Sequence, residues 1–289
     1  MKKSFYEKRS YRSLFKGENL SFFNICVYET DLTIGISEAR IRENNQAEDN
    51  QVKDSKVKDS QTNDSQTKGS QAKNSAGKEL VQEDLLKTTQ NLVRKYRQYI
   101  EDYIRIHPEF LTSLEPIIPK SGAAIIVNRM CEAAMKAGVG PMAAVAGAIG
   151  QMVGQELLKY YEEVIIENGG DIFIKTNSVR KVGVYAGKSP LSEKIAIKIQ
   201  PHHTPAGVCT SSGTVGHSLS FGKADAAVII SRDAFLADAA ATAVCNRVKC
   251  PADIEKALKF ASEIEGVDGA LIIIDDKMGA WGDIEITGF

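Results

Sequence analysis

Neither sign of charge prevails in this chain: 36 Lys and Arg stand against 37 Asp and Glu. Without a net field nothing draws it to a polyanion or an anionic surface, so nucleic acid is not an expected partner. A long apolar run is also missing. The most apolar stretch, Val139 to Val153, is broken by Gln151 and falls short of the roughly 18 to 20 residues that span a bilayer, so it reads as a buried helix and no membrane partner is expected. Met1 to Lys16 is basic and aromatic but lacks the block of about seven or more apolar residues of a signal peptide, and a cytoplasmic location is expected. Cysteines are few and odd in number (Cys26, Cys131, Cys209, Cys245 and Cys250), without paired C-x-x-C spacing, which points to reduced thiols. Cys26 and Cys131 have apolar sequence neighbours, where cysteine usually acts as a small hydrophobe.

What is present is ample material for a core: 43% apolar residues in 289. The plainest local feature is a five-residue repeat over residues 51–75, QVKDS, KVKDS, QTNDS, QTKGS, QAKNS. Polar and nearly free of large apolar groups, it buries too little to offset its ordering entropy, so residues 44–78 are expected to form a disordered insertion in a single domain made of 1–43 and 79–289. Before it, Leu20 to Glu29 and Leu32 to Ile36 predict a hairpin. After it, Leu85, Leu86, Leu92, Tyr96, Ile100 and Ile104 predict a helix over Leu80 to Ile106, ending at His107-Pro108. Gly138-Val139-Gly140-Pro141 opens a second helical run to about Tyr161. Strands are expected at Val164 to Ile166, Ile172 to Ile174 and Ala226 to Ile230, and helices at Ala234 to Cys245 and Ala252 to Ile264. Leu271 to Ile274 and Ile284 to Ile286 are expected to pair as a closing hairpin. Strands and helices mix without strict alternation, which favours an α+β fold with a mixed or antiparallel sheet.

Three segments carry groups suited to chemistry. In the first, Gly147, Gly150 and Gly154 form a bare stripe on the glycine-bearing helix, approached either by a ligand or by a neighbouring strand, and lead to Asn168-Gly169-Gly170-Asp171. The paired glycines there either expose backbone amides to a ligand or make an ordinary tight turn. The second, Cys209-Thr210-Ser211-Ser212-Gly213-Thr214-Val215-Gly216-His217, gathers hydroxyls, a thiol and an imidazole, the donors of a phosphate site with His217 as a candidate base. The third is a helix carrying Asp238 and Thr242 one turn apart. They are either two hard oxygen ligands for magnesium or a helix-dipole partner and a hydroxyl bonded to its own preceding turn, with alanines leaving room around them.

Together these segments resemble the ApbE superfamily, which includes enzymes that move FMN from FAD onto a protein hydroxyl with magnesium. More closely, the chain is similar to an uncharacterised ApbE-like family of archaea and anaerobic bacteria. The similarity runs through Phe110 to Pro116, Gly138 to Ala148, Glu167 to Phe173, Gly207 to Lys223, Leu236 to Thr242 and Gly279 to Asp283. Gly169-Gly170 resembles the transferases' glycine pair before a strand. Ser211-Ser212-Gly213 with His217 resembles their Thr-Ser-Gly run and histidine, and Ala237-Asp238 with Thr242 matches their Ala-Asp-x-x-x-Thr helix. The resemblance implies FAD or a related nucleotide with its phosphates beside Asn168 to Asp171 and Thr210 to Gly213, magnesium at Asp238 and Thr242, and His217 positioning or deprotonating an acceptor. Two departures stand in this chain: Ala146-Gly147 replaces Lys-Gly, and Ser218-Leu219-Ser220-Phe221-Gly222 replaces Asp-Pro-x-Thr-Gly. They favour binding over conventional FMN transfer. The closer family is also associated with sulfide assimilation into homocysteine, which implies sulfur-assimilation proteins as partners and an accessory role as the alternative, with Cys209 as either its thiol or an inert buried residue.

Overall fold

The computed structural model describes residues 19–38, 69–215 and 220–289, with backbone alone for 69–82. The pentapeptide repeats up to residue 68, and His217, lie outside the described residues.

Branched and aromatic residues form the opening hairpin, β1 (Ser21–Val27) and β2 (Thr30–Ile36), in register from Ser21↔Ile36 to Val27↔Thr30. Its turn falls at Tyr28-Glu29, with Tyr28 at φ 54°, two residues before the Thr30-Asp31 separation read from composition. Helix α1 (Gly69–Ile106) starts ahead of Leu80 and ends where His107-Pro108 predicts, burying Val93, Tyr96, Ile100 and Tyr103. His107 is a helix-end residue: its amide donates to the Tyr103 carbonyl at 2.8 Å and its ring lies on Tyr103.

After the short α2 (Glu109–Thr112) comes α3 (Ile125–Ala137), a helix beyond those expected from the sequence, and Gly138 closes it in the left-handed conformation, φ 70°. A single 3-10 turn at Pro141–Ala144 then feeds α4 (Val145–Leu157), so the predicted long helix is shorter at both ends. The strands β3 (Val164–Asn168) and β4 (Asp171–Lys175) form a hairpin whose two-residue turn is Gly169-Gly170, at φ 71° and 107°. Two consecutive positive φ values match the right-handed twist of the flanking strands and are available to glycine without strain.

The remaining elements are β5 (Arg180–Gly183), β6 (Ile195–Ile199), β7 (Ala206–Ser211), β8 (Ala226–Ser231), α5 (Ala234–Arg247), α6 (Ile254–Glu263), β9 (Val267–Ile274), β10 (Lys277–Gly282) and β11 (Glu285–Gly288). The main sheet has the order β1-β2-β3-β4-β7-β8-β9-β10, antiparallel throughout, and a second sheet has the order β11-β6-β5. The fold is thus α+β, in three layers. The helices bury one face of the main sheet, and the three-stranded sheet buries the other through Ile174, Val208, Val228, Leu271 and Ile197. The expected closing hairpin is not formed. Leu271 to Ile274 belongs to β9, which pairs with β10, whereas Ile286 pairs with Ile197 in the second sheet. The chain leaves β10 at Gly282, φ 86°, where a Cβ would lie 2.3 Å from the Asp268 carbonyl oxygen, so only glycine makes that crossing.

Among the described residues no single helix is long and apolar enough to cross a membrane. All five cysteines are free thiols. Cys131 is buried as expected, but Cys26 points away from the core on the edge strand β1 and is exposed, since alternation turns Ile25 and Val27 inward instead.

The glycine stripe of α4 is a packing feature. A Cβ on Gly147 would lie 2.1 Å from the Ala234 carbonyl oxygen and one on Gly154 would lie 2.3 Å from the Phe173 ring, whereas on Gly150 the nearest atom is 3.8 Å away. Gly150→Ala should therefore stabilise the fold by up to about 1 kcal/mol through helix propensity. Gly147→Ala should destabilise it by roughly 1 to 3 kcal/mol, because a backbone carbonyl must move. Urea unfolding of both variants checks the pair, and equal effects would contradict this packing.

Candidate functional site

Residue Asp238 sits in the second turn of α5, a helix buried on nearly every side because β7, β8, α3, α4 and α6 surround it. The alanines around Asp238 and Thr242 are themselves buried. They let these elements approach closely. The side chain of Asp238 accepts a hydrogen bond from the Gly147 amide at 2.8 Å and another from the Ala146 amide. These are orphan donors of the first turn of α4, where Ala144 has no side chain to cap them. Asp238 is therefore an N-cap supplied by a different helix.

The Asn168–Asp171 turn reaches the same place. Asn168 Nδ2 donates to the Ala146 carbonyl at 3.1 Å, and Asp171 Oδ1 accepts from the Thr210 amide at 3.2 Å. The Gly170 amide is taken by Glu167 at 2.9 Å, and Gly169 forms the exposed tip. Asp171, Cys209 and Ser211 point to the α5 side of the sheet, as does Phe173 in the core. Thr210 follows Val208 onto the opposite face, toward the second sheet.

The hydroxyl segment divides accordingly. Ser211 is buried against Cys245, two helical turns beyond Asp238. Ser212 Oγ accepts from the amides of Thr214 and Val215 at 3.1 and 2.9 Å, and Thr214 Oγ1 donates to Asp225 at 2.7 Å, so both hydroxyls brace their own loop. Gly213 is required there by contact: a Cβ would lie 2.2 Å from the Gly222 carbonyl oxygen. Thr242, half-buried, lies one turn past Asp238 on the same helix face. A cleft of about 290 Å³ lined by Lys188, Ser189, Pro190, Asp225, Asp275 and Asp276 opens at the same end of the sheet, beyond Thr214.

Electrostatically the centre is two carboxyls kept from water. Burial pushes Asp171 well above the usual carboxylate range, and the neighbouring Asp238 pushes it further. Burial likewise raises Asp238, to about 7, against the opposing pull of the Gly147 and Ala146 amides. Among the described residues no cationic side chain is among the main influences on either group. The Cys209 thiol beside them is raised by burial, then by both aspartates, so its neutral form prevails. That is the inert state of a cysteine. Among the described residues no group of three or more His, Cys, Asp or Glu side chains is arranged to hold a metal by itself.

Gln151 and Glu167 were not singled out as site residues. Gln151, 4% exposed, accepts from the Ala234 amide at 2.6 Å, and its signal was its lone polarity within an apolar run.

A family model described as AbpE bacteria matches residues 76–285. The chain belongs to this ApbE-like family. The UPF0280 protein of Methanococcus aeolicus is 44% identical over 204 residues, covering 69% of this chain and 82% of that one. The UPF0280 protein of Methanocella arvoryzae is 46% identical over 194 residues, covering 66% and 78%. Among solved structures, apo flavinyl transferase ApbE from Pseudomonas stutzeri is 11% identical, covers 93% of this chain and 94% of its own, and has a TM-score of 0.41. Flavin transferase ApbE from Vibrio cholerae is 10% identical, covers 91% and 96%, and has a TM-score of 0.45.

The raised carboxyls set a pH dependence for this family member. Asp238 binds its proton more tightly folded (about 7) than at its ordinary value of 3.8, so its contribution to stability is complete below the ordinary value and is lost as pH rises through about 7. Asp171 is shifted in the same direction. In EDTA the melting temperature should fall by several degrees between about pH 6 and about pH 8, and Asp238→Asn should flatten that slope. Calorimetric melts across the range check it. A wild-type slope that survives in Asp238→Asn would assign the titration elsewhere.

Proposed function

We propose that this protein binds a flavin dinucleotide or related nucleotide together with a divalent cation at the end of the main sheet where the Asn168–Asp171 turn, the Thr210–Gly213 segment and the Asp238 face of α5 converge. The observation that carries this reading is the Asp171–Asp238 pair: two desolvated carboxyls with no cationic side chain prominent beside them among the described residues. Such a pair either keeps a proton or takes a cation, and a hard divalent ion suits its oxygen donors. Magnesium fits there with Asp238 and Thr242 as protein ligands, and when bound it supplies positive charge against nucleotide phosphates. The chain's own contribution is orientation. The Gly147 and Ala146 amides of α4 orient the Asp238 carboxylate toward the cation, Gly147 through Oδ2, and Asp171 fixes the Thr210 backbone beside the glycine turn. His217 enters this reading as the residue that positions or deprotonates an acceptor.

A second reading, binding without group transfer in an accessory role in sulfide assimilation, is favoured by Ala146. The transferases that the chain resembles carry lysine there, and among the described residues no other cation is prominent around the two carboxyls. The buried, protonated Cys209 gives that role no reactive thiol.

With saturating FAD, magnesium should raise the wild-type melting temperature by several degrees, since a ligand selective for the folded state stabilises it by mass action. Asp238→Asn keeps an oxygen acceptor for the Gly147 amide, so its metal-free melting temperature should stay at or above wild type while most of the magnesium increment disappears. Thr242→Val should lose less. A full increment retained in Asp238→Asn would overturn the metal reading. Covalent transfer of FMN to a threonine-containing acceptor peptide would decide for transfer over binding alone.

A further inference from the structure

Helices α4 and α5 are joined at two points. Gly147 N donates to Asp238 Oδ2 at 2.8 Å, and one turn further along α4 the amide oxygen of Gln151 accepts from Ala234 N at 2.6 Å. Ala234 lies one turn before Asp238 on the same face of α5, so the four residues form a closed rectangle bonded at opposite ends. Between the two bonds the bare surface of Gly147 lies against the Ala234 carbonyl and the Asp238 Cβ. A surface without a Cβ offers no ridge to resist sliding of one helix along the other. The hydrogen bonds therefore add to the surrounding packing of α5 in fixing the register.

The N-cap of α5 does not require Gln151, which instead satisfies the buried first-turn amide of Ala234. Asp233 already serves as that N-cap, accepting from Phe235 N at 3.0 Å and pairing with Arg129 at 3.0 Å. Filling the volume does not require it either, because methionine has nearly the same size and carries no polar group into the core. What the glutamine adds is a fixed point for α5 one turn from Asp238. We infer that Gln151 is a positioning residue for Asp238, setting its carboxylate against the α4 amides and thereby toward the cation. The cation part rests on the proposed function, but the placement of Asp238 does not.

Gln151→Met removes the acceptor, and Gln151→Glu keeps one. In metal-free protein labelled with ¹⁵N-glycine, the Gly147 amide resonance reports the bond to Asp238. It should move in Gln151→Met toward its position in Asp238→Ala, which removes the acceptor, and stay near the wild-type position in Gln151→Glu. In calorimetric titration of magnesium chloride into the FAD-loaded protein, Gln151→Met should weaken magnesium binding about ten-fold, as loss of partners behind a metal ligand typically does, with FAD affinity in EDTA unchanged. A Gly147 resonance unmoved in a folded Gln151→Met protein overturns the inference. Should the methionine variant fail to fold, Gln151→Glu decides alone, a displaced resonance overturning the inference and a wild-type one supporting it. If wild type takes up no magnesium while the resonance still moves in Gln151→Met, the metal reading falls and the positioning of Asp238 stands.

Discussion

The contact on which the rest of this molecule depends is the one between α4 and α5 at Gly147. Because that residue has no side chain, the Ala234 carbonyl can lie against the α4 backbone, and this closeness brings the Asp238 carboxylate onto the amides of Gly147 and Ala146. Everything at the site is measured from there. Asn168 attaches the β3–β4 turn to the Ala146 carbonyl, and Asp171, across that turn, attaches the end of β7 through the Thr210 amide. One close helix crossing thus gathers three chain segments separated by up to about 90 residues.

The same closeness creates the electrostatic tension of the site. Packing α5 on all sides excludes water from Asp238, and the sheet places Asp171 beside it, so both carboxyls are pushed toward their neutral forms. The first-turn amides of α4 offset part of this for Asp238, as a helix N-terminus does for any nearby anion. Stability of the empty fold and affinity for a cation then pull in opposite directions with pH. Low pH fills the pair with protons, and high pH leaves charge that an ion can neutralise.

Much of this was legible in the sequence where the signal was local. The β1–β2 and β3–β4 hairpins announced themselves by branched residues and by the Gly169-Gly170 pair, and the end of α1 by His107-Pro108. Ile195–Ile199 became visible as a strand only in the structure, although its residues are mostly apolar, because its partners Arg180–Gly183 and Glu285–Gly288 are distant and partly exposed. Ala206–Ser211 is composed of small residues because α5 presses on it, with a Cβ on Gly207 meeting Ala234 at 2.4 Å, and small residues carry little strand signal. Asp238 shows why spacing could not choose between a metal ligand and a helix-dipole partner. Its amide partners belong to another helix, 91 positions away in the case of Gly147, a relation no window of sequence contains. Ser212 and Thr214 read as a set of phosphate donors, whereas tertiary folding turns their hydroxyls onto Val215 and Asp225.

Asp238, held from behind by α4, is proposed to present its carboxylate to a cation shared with a nucleotide. A crystal of the full chain grown with FAD and manganese, with diffraction recorded at the manganese edge, tests this directly. An anomalous peak bonded to Asp238 is expected, with Thr242 and a phosphate oxygen in the same coordination sphere and the Gly147 amide still bonded to the Asp238 carboxylate. Bound FAD with no peak at Asp238, or a peak there only after the bond to Gly147 is broken, would contradict it.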